Sequence, residues 1–262
     1  MVLPLEKRIT AFDEFNRLLQ LKFRRKEIVD KVTKDFGVSS ATAYQWFRGG
    51  SPYGKRAGRI TINKELFYIV GALLGDGYIY AWRKRYRVGL SVRDKSFAKR
   101  FAEKLSKVVK REVRFYHYSK KDLWFVNINN AELFFLFNKL RNDLSYLRQL
   151  LKVGNFSTNS LEFLQGFIDA EGCVKLVKEE TRKTPKVVMD ITNKNLDYLM
   201  LMAFLLEKTL RIKPHFYSQF DKRRNSTYHH LRFYKKADVK EILTEIKTIK
   251  NRNPKLVRRL LL

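Results

Sequence analysis

Two acids recur at matched places along this chain. The stretch Ile69-Val70-Gly71-Ala72-Leu73-Leu74-Gly75-Asp76-Gly77 returns as Leu164-Gln165-Gly166-Phe167-Ile168-Asp169-Ala170-Glu171-Gly172, with the acids 95 residues apart. Each copy is an apolar run with small residues four apart (Gly71 and Gly75; Gly166 and Ala170), closing on an acid and a glycine. Small residues at that spacing share one helix face and let a second backbone approach closely. The closing glycine predicts a helix that ends in the left-handed conformation at Gly77 and Gly172. Asp76 and Glu171 then stand at helix C-termini, where the macrodipole disfavours a carboxylate by roughly 0.3–1 kcal/mol. Two such acids at equivalent positions call for positive charge beside them, and a metal ion supplies it most simply. The lone Cys173, close to Glu171, reads as a small core residue rather than a nucleophile.

Holding two such acids together takes a repeated scaffold, and the segments after each motif follow one order. After the first come alternating stretches at 78–82 and 86–93, a helix at 95–109, strands at 113–120 and 123–128, and a helix at 131–140. After the second, strands at 174–177 and 186–192, a helix at 196–210, strands at 212–219 and 228–234, and a helix at 237–246 repeat it. Asn63 and Asn159 are expected N-caps of the motif helices, the latter with Glu162 completing a capping box. Alternation assigns faces: Val88, Leu90 and Val92 oppose Arg87, Ser91 and Arg93, and Val113 and Phe115 oppose Arg114, Tyr116, Tyr118 and Lys120. In the second copy Val187, Met189 and Ile191 oppose Lys186, Val188, Asp190 and Thr192, and Lys213, His215 and Tyr217 line up with the basic, aromatic face of the first. One face packs under helices. The other is expected to be wet and basic, and suited to a DNA major groove, with cations on phosphates and some side chains on base edges.

Bulk properties agree. The chain has 262 residues, with Lys+Arg 55 against Asp+Glu 26, a net charge of +29 and a pI near 10.2. That balance argues for a polyanionic partner. No segment approaches the ~18 apolar residues that span a bilayer, so no membrane association is expected. Glu6, Lys7 and Arg8 interrupt any secretory signal, and one cysteine fits a reducing interior, giving an intracellular, nucleoid-associated expectation.

Ahead of the duplicated part, residues 1–48 read as helices, with 25–48 resembling a helix-turn-helix. Gly37 supplies the turn, Ser39 or Ser40 caps the next helix, and Ser40, Thr42, Gln45 and Arg48 are placed to face a groove. Residues 49–60 form a Gly-rich basic linker, 61–155 and 156–262 are the two repeats, and 251–262 is a basic, partly apolar tail.

The paired motifs resemble those of LAGLIDADG homing endonucleases and their intein and maturase relatives. The second matches that string at Leu164, Gly166, Ile168, Asp169, Ala170 and Gly172; the first matches at Gly71, Asp76 and Gly77. The resemblance implies an α+β fold, a pseudo-two-fold duplicated αββαββα unit with antiparallel DNA-binding sheets, preceded here by a small all-α module. It implies a monomer that cuts both strands of a long duplex DNA site by Mg²⁺-dependent hydrolysis, leaving short 3′ overhangs. Two or three divalent ions would be held by Asp76 and Glu171 with Gly75 and Ala170 beside them, and Mn²⁺ would substitute. The family often places an amide or similar polar residue and then a lysine after the second strand of each repeat; those places read here as Asp94-Lys95 and Asn193-Lys194. Lys235 stands where a lysine commonly follows the fourth strand, opposite Asn129 and Asn130 in the first repeat, and Lys175 is a further cation near Glu171. Asp169, where the first copy has Leu74, is expected to cap or pair structurally. Unequal nicking of the two strands follows from these asymmetries. A non-cleaving DNA-binding regulator on the same scaffold, or an RNA-splicing maturase binding intron RNA, are the alternatives; both motif acids favour the nuclease.

Overall fold

The computed structural model describes residues 3–53, 59–83, 85–178 and 185–250, so the expected basic tail and the middle of the linker lie outside the described residues. The chain forms two units, Met1–Arg59 and Ile60–Leu262.

The first unit holds α1 (Leu5–Gln20), α2 (Arg25–Phe36) and α3 (Ser40–Phe47). Ala11, Phe15, Leu18, Ile28, Val32, Val38 and Trp46 make its core, and the Trp46 ring meets Phe12 and Phe15 edge-on at 5.2 and 5.5 Å. Gly37 ends α2 in the left-handed region (φ 69°), which glycine adopts without penalty. Ser39 then caps α3, its hydroxyl accepting the Thr42 N–H at 3.3 Å.

The second unit runs α4 (Lys64–Asp76), β1 (Gly77–Trp82), β2 (Arg85–Val92), α5 (Lys95–Val109), β3 (Phe115–Tyr118), β4 (Leu123–Asn129), α6 (Ala131–Asn142) and α7 (Leu144–Leu151). It continues with α8 (Phe156–Glu171), β5 (Gly172–Val177), β6 (Lys186–Asn193), α9 (Leu196–Leu210), β7 (His215–Asp221), β8 (Ser226–Phe233) and α10 (Lys236–Glu245). Two four-stranded antiparallel sheets result, β1-β2-β4-β3 and β5-β6-β8-β7. Their registers correspond: Gly77 opposite Leu90 and Leu90 opposite Val126 in one, Gly172 opposite Ile191 and Ile191 opposite Leu231 in the other. One core unites the halves, with α4 buried continuously from Glu65 to Leu74, as a helix apolar all round must be. Among the described residues no helix is long and apolar enough to cross a membrane.

Several expectations are corrected. Gly77 (φ −81°, ψ 159°) and Gly172 (φ −76°, ψ 144°) are extended, because each motif helix passes directly into a strand. What they require instead is closeness: a Cβ at either would be driven into Leu73 or Ile168. Asn63 does cap α4, accepting the Leu66 N–H at 3.0 Å, but α8 starts earlier than expected and Asn155 caps it. Asn159 is instead buried inside α8, where it donates to the carbonyls of Leu151 and Val153 at 3.1 and 2.7 Å. It thereby satisfies the end of α7, a helix the sequence reading did not foresee. Glu162 makes no capping box and pairs with Lys104. Cys173 is exposed rather than in the core. Val188 and Asp190, expected on a wet face, are buried at 3% and 5% exposure.

Candidate functional site

The site begins with how closely α4 and α8 pack. A Cβ on Gly71 would run into the Phe163 carbonyl, and one on Gly166 into the Tyr68 carbonyl, so no larger residue fits at either crossing point. At the lower end Gly75 faces Ala170 and Glu171: an added Cβ would lie 2.5 Å from the Ala170 Cβ and 3.0 Å from the Glu171 Cγ. The last residues of the two helices, Asp76 and Glu171, are therefore brought side by side at the helix ends where β1 and β5 begin.

Their electrostatics are those of a like-charged pair partly out of water. Burial first, then the Asp76 charge, push the Glu171 carboxyl up to about 7, opposed by a hydrogen bond from Asn193 and by the charge of Lys250. Asp76 keeps one side open to solvent, yet burial raises it too, again against Lys250. Asn193 donates to Glu171 Oε1 at 2.7 Å and, with its own oxygen, accepts the Asn195 N–H at 2.8 Å, so the amide fixes the carboxyl's orientation. Two hard oxygen donors sharing destabilised negative charge suit a divalent cation bound through oxygen. Among the described residues no third His, Cys, Asp or Glu joins them, so the rest of any metal shell must come from backbone, water or substrate oxygens.

The lysines and amides after the second strands are not equivalent in the way their sequence order indicates. Register matches Asn193 with Val92, and Asp94 with Asn195. Both members of the second pair cap the following helix: Asp94 accepts the N–H groups of Ser96 and Phe97 at 2.8 and 3.1 Å, Asn195 that of Tyr198 at 3.2 Å. At the position of the amide that steadies Glu171, the first half carries the apolar Val92. Lys95 lies 5.0 Å over the Trp124 ring; Lys194 lies 5.3 Å over Tyr228 and donates to Ser226 at 3.2 Å. Lys235 is the N-cap residue of α10, beyond β8.

The expected nucleic-acid face divides unevenly. Arg87 and Ser91 are half-buried on the outer side of β2, Arg93 is exposed, and Tyr116 and Tyr118 stand out at 52% and 42% exposure. Arg114 precedes β3 and pairs with Glu112 at 3.2 Å; Lys120 falls in a 3₁₀ turn at Ser119–Lys121. In the second sheet Lys186 lies 4.9 Å over Tyr234, and Lys213 sits before β7, paired with Glu207 at 3.1 Å. His215 stacks near Tyr217, and Tyr217 stacks flat on His230 at 4.5 Å. Gln45 and Arg48 are exposed on α3 and just after it.

Sequence reasoning missed two groups. Asp190 gathers Arg232 (2.7 Å), His230 (3.3 Å) and Lys175 (3.8 Å) on the outer face of the second sheet. Lys250 is the other: among the described residues it is the cation whose charge acts on both motif acids. Alternation could have placed Asp190 opposite Arg232 had the register been known. Nothing local marks Lys250.

Residues 158–247 match the family model for a LAGLIDADG-like domain. Over 153 residues the chain is 31% identical to the homing endonuclease I-ApeI of Aeropyrum pernix, covering 55% of this chain and 65% of that protein. Over 180 residues it is 29% identical to an uncharacterised protein of Methanocaldococcus jannaschii, covering 66% of this chain and 65% of that one. The matched stretches thus span a little under two thirds of either relative's length. Structures of the homing endonuclease I-DmoI share the fold. One set of variants superposes with a TM-score of 0.50 at 18% identity over 71% of this chain and 96% of that one. A variant in complex with its nicked target DNA in the presence of Mn gives 0.50 at 17%, over 72% and 98%.

Proposed function

We propose that the chain is a LAGLIDADG-type, site-specific homing endonuclease that hydrolyses both strands of a long duplex DNA site with divalent metal, a reading supported by the family match over residues 158–247 and by the likeness to I-ApeI. Mg²⁺ is the expected ion and Mn²⁺ a substitute. The observation that carries this reading is the pair of carboxyls, Asp76 and Glu171, delivered to one place by two helices whose glycines allow backbone contact. Bound metal would neutralise charge on the scissile phosphate and lower the pKa of the attacking water. Around it the chain's own groups have separate tasks. Asp76 and Glu171 hold the ions, with the backbone at Gly75 and Ala170 adjacent. Asn193 orients Glu171 through its 2.7 Å hydrogen bond. Arg87, Arg93, Lys186 and the exposed tyrosines of β3 position the duplex along the sheets. The α2–α3 pair of the first unit adds DNA affinity through Ser40, Thr42, Gln45 and Arg48. The protein acts as a monomer, since both motifs are in one chain.

A randomised duplex library with Mg²⁺ tests the reading. Wild-type protein is expected to cut a discrete site, leaving 3′ overhangs. Asp76→Asn and Glu171→Gln are expected to abolish cutting while binding persists, since each removes a metal ligand and also reduces repulsion from phosphate. Wild-type protein that selects a site yet leaves both strands intact would make it a non-cleaving regulator, and tighter binding to intron RNA than to duplex DNA would make it a maturase.

A further inference from the structure

The second motif carries a buried acid that the reaction outlined above does not use. Asp169, 1% exposed, lies two residues before Glu171 on α8. Four donors converge on it: Tyr68 Oη at 2.9 Å and Arg100 Nη1 at 3.0 Å on one oxygen, Thr248 Oγ1 at 2.5 Å and the Ile249 N–H at 2.8 Å on the other. The same short segment is tied twice more. Gln165 Nε2 donates to the carbonyls of Ile246 and Lys247 at 2.7 and 3.0 Å, and Arg100 Nη1 also reaches the Lys247 carbonyl at 2.9 Å. Thr248 Oγ1 then accepts the Lys250 N–H at 3.2 Å, so the backbone of Lys250 is held by the chain of bonds that starts at Asp169. Thr248 and Ile249 are themselves buried, while Lys250 emerges half-exposed. So many directional bonds on five residues outside any helix or strand are more than packing the end of α10 requires.

We propose that this Asp169-anchored turn is a positioning device that sets the Lys250 ammonium beside Asp76 and Glu171, where it contacts the phosphodiester at one of the two strand-cleavage sites. The contact is one-sided because the device is. In the first half Leu74 stands where Asp169 would be, and the chain after α6 enters α7 instead of returning to the motif helix. Asp169, two residues before Glu171 on α8, holds Thr248 and the Ile249 N–H, so Lys250 leaves the turn close to the end of α8, and its charge opposes the upward shift of both motif acids. Holding the backbone of Lys250 there shortens the rearrangement its ammonium must make to meet the substrate's charge, and preorganised charge is what accelerates phosphoryl chemistry most.

The inference rests on the endonuclease reading and is separable from it. Strand-resolved single-turnover cutting of the selected site is measured for wild type, Lys250→Met, Lys250→Arg and Thr248→Val. Lys250→Met is expected to slow one strand on the order of 10²–10³-fold and the other by less than about threefold. Lys250→Arg is expected to restore part of that rate, and Thr248→Val to slow the same strand by less, with the melting profile checked for each. Binding of the uncut site without metal gives a second readout: Lys250→Met should flatten the slope of log affinity against log salt by about one unit, the loss of one phosphate contact. Unchanged rates and slope, or equal slowing of both strands, overturn the proposal. A wild-type protein that binds the site and cuts neither strand removes the endonuclease reading, and this inference with it.

Discussion

The two halves share a backbone and differ in what they put on it. At equivalent register positions the first sheet carries Tyr78, Gly89, Asn127 and Tyr116, and the second carries Cys173, Asp190, Arg232 and Tyr217. Gly89 has no room for a side chain, since an added Cβ would lie 2.8 Å from the Tyr78 ring. The second half reverses the sizes, with small Cys173 opposite Asp190. Space filled by a tyrosine ring in one sheet becomes, in the other, a place for a buried acid and the cations it gathers. The consequences spread outward: Asn127 donates to the Tyr116 hydroxyl at 2.8 Å, whereas Arg232 lies 4.7 Å over the Tyr217 ring while bonded to Asp190. Duplication supplies the frame twice. One change of side-chain volume gives each copy its own polar surface.

What the halves share should be the costliest thing to break. Gly71→Val and Gly166→Val each force atoms into the partner helix's backbone carbonyl, which rotamer changes cannot relieve. The expected loss is upwards of ~3 kcal/mol apiece, read as a collapse of the melting temperature or failure to recover folded protein. A mild effect at one glycine only would show that the helix contact is not symmetric.

The next prediction concerns what they do not share. Asp190→Asn leaves Arg232 and Lys175 without their acid and should destabilise by about 1.5–3 kcal/mol; Asn127→Ala, at the Arg232-equivalent position, should cost no more than about 1 kcal/mol. Arg232→Ala should also relax preference at a base pair in the half-site under β5–β8, by about 1–3 kcal/mol if it reads a guanine edge. Denaturant melts of the first two variants and site selection with the third check the two statements. Equal effects in the two sheets would dissolve the contrast.

Much of this arrangement could be read before the structure, and the failures have a pattern. The helices α5 and α9 fall at 95–109 and 196–210 as expected, because periodicity and a preceding Asp94 or Asn195 cap are local signals. The paired acids came from a repeated string. What escaped depends on distant partners. Asn159 and Asn155 are the same residue type four apart, and only the end of α7 decides which one caps α8. Matching Asp94 with Asn193 by order misplaced the amide by two positions, which only strand register reveals. The turn that precedes Lys250 is tied to α8 by bonds that span 79 to 82 residues, and no local pattern encodes such a return.

The acids themselves offer a sharper probe of asymmetry. Glu171 sits near 7 in the folded protein against an ordinary 4.5. Between those values the native state keeps a proton that the unfolded chain has released, so stability is lost as pH rises through that window. Glu171→Gln should therefore stabilise metal-free protein at pH 8 by about 1–2 kcal/mol and change little at pH 4. Asp76→Asn, at the more solvent-exposed of the two acids, should gain less. The same ionisation prepares the site for a cation, so divalent-ion affinity and cutting should both rise from pH 6 to 8 and level off above. Thermal melts in chelator across that range check the sign; a larger gain from Asp76→Asn would reverse the assignment of the more strained acid.

The smallest expected effects test whether the symmetry survives at the far ends of the motif helices. Asn63 and Asn155 do the same work, each accepting one N–H at 3.0 Å in the first turn of α4 or α8. Replacing either with alanine leaves one orphan donor that water can reach, so Asn63→Ala and Asn155→Ala should each cost about 1 kcal/mol. Asn159→Ala, four residues on, has no first-half counterpart and should cost more, because it removes a buried amide that donates to two carbonyls at the end of α7, one of them, Leu151, in the core. Equal values for the two caps with a larger one for Asn159 would locate the divergence of the halves in what packs around the motif helices rather than in the helices; unequal caps would place it inside them.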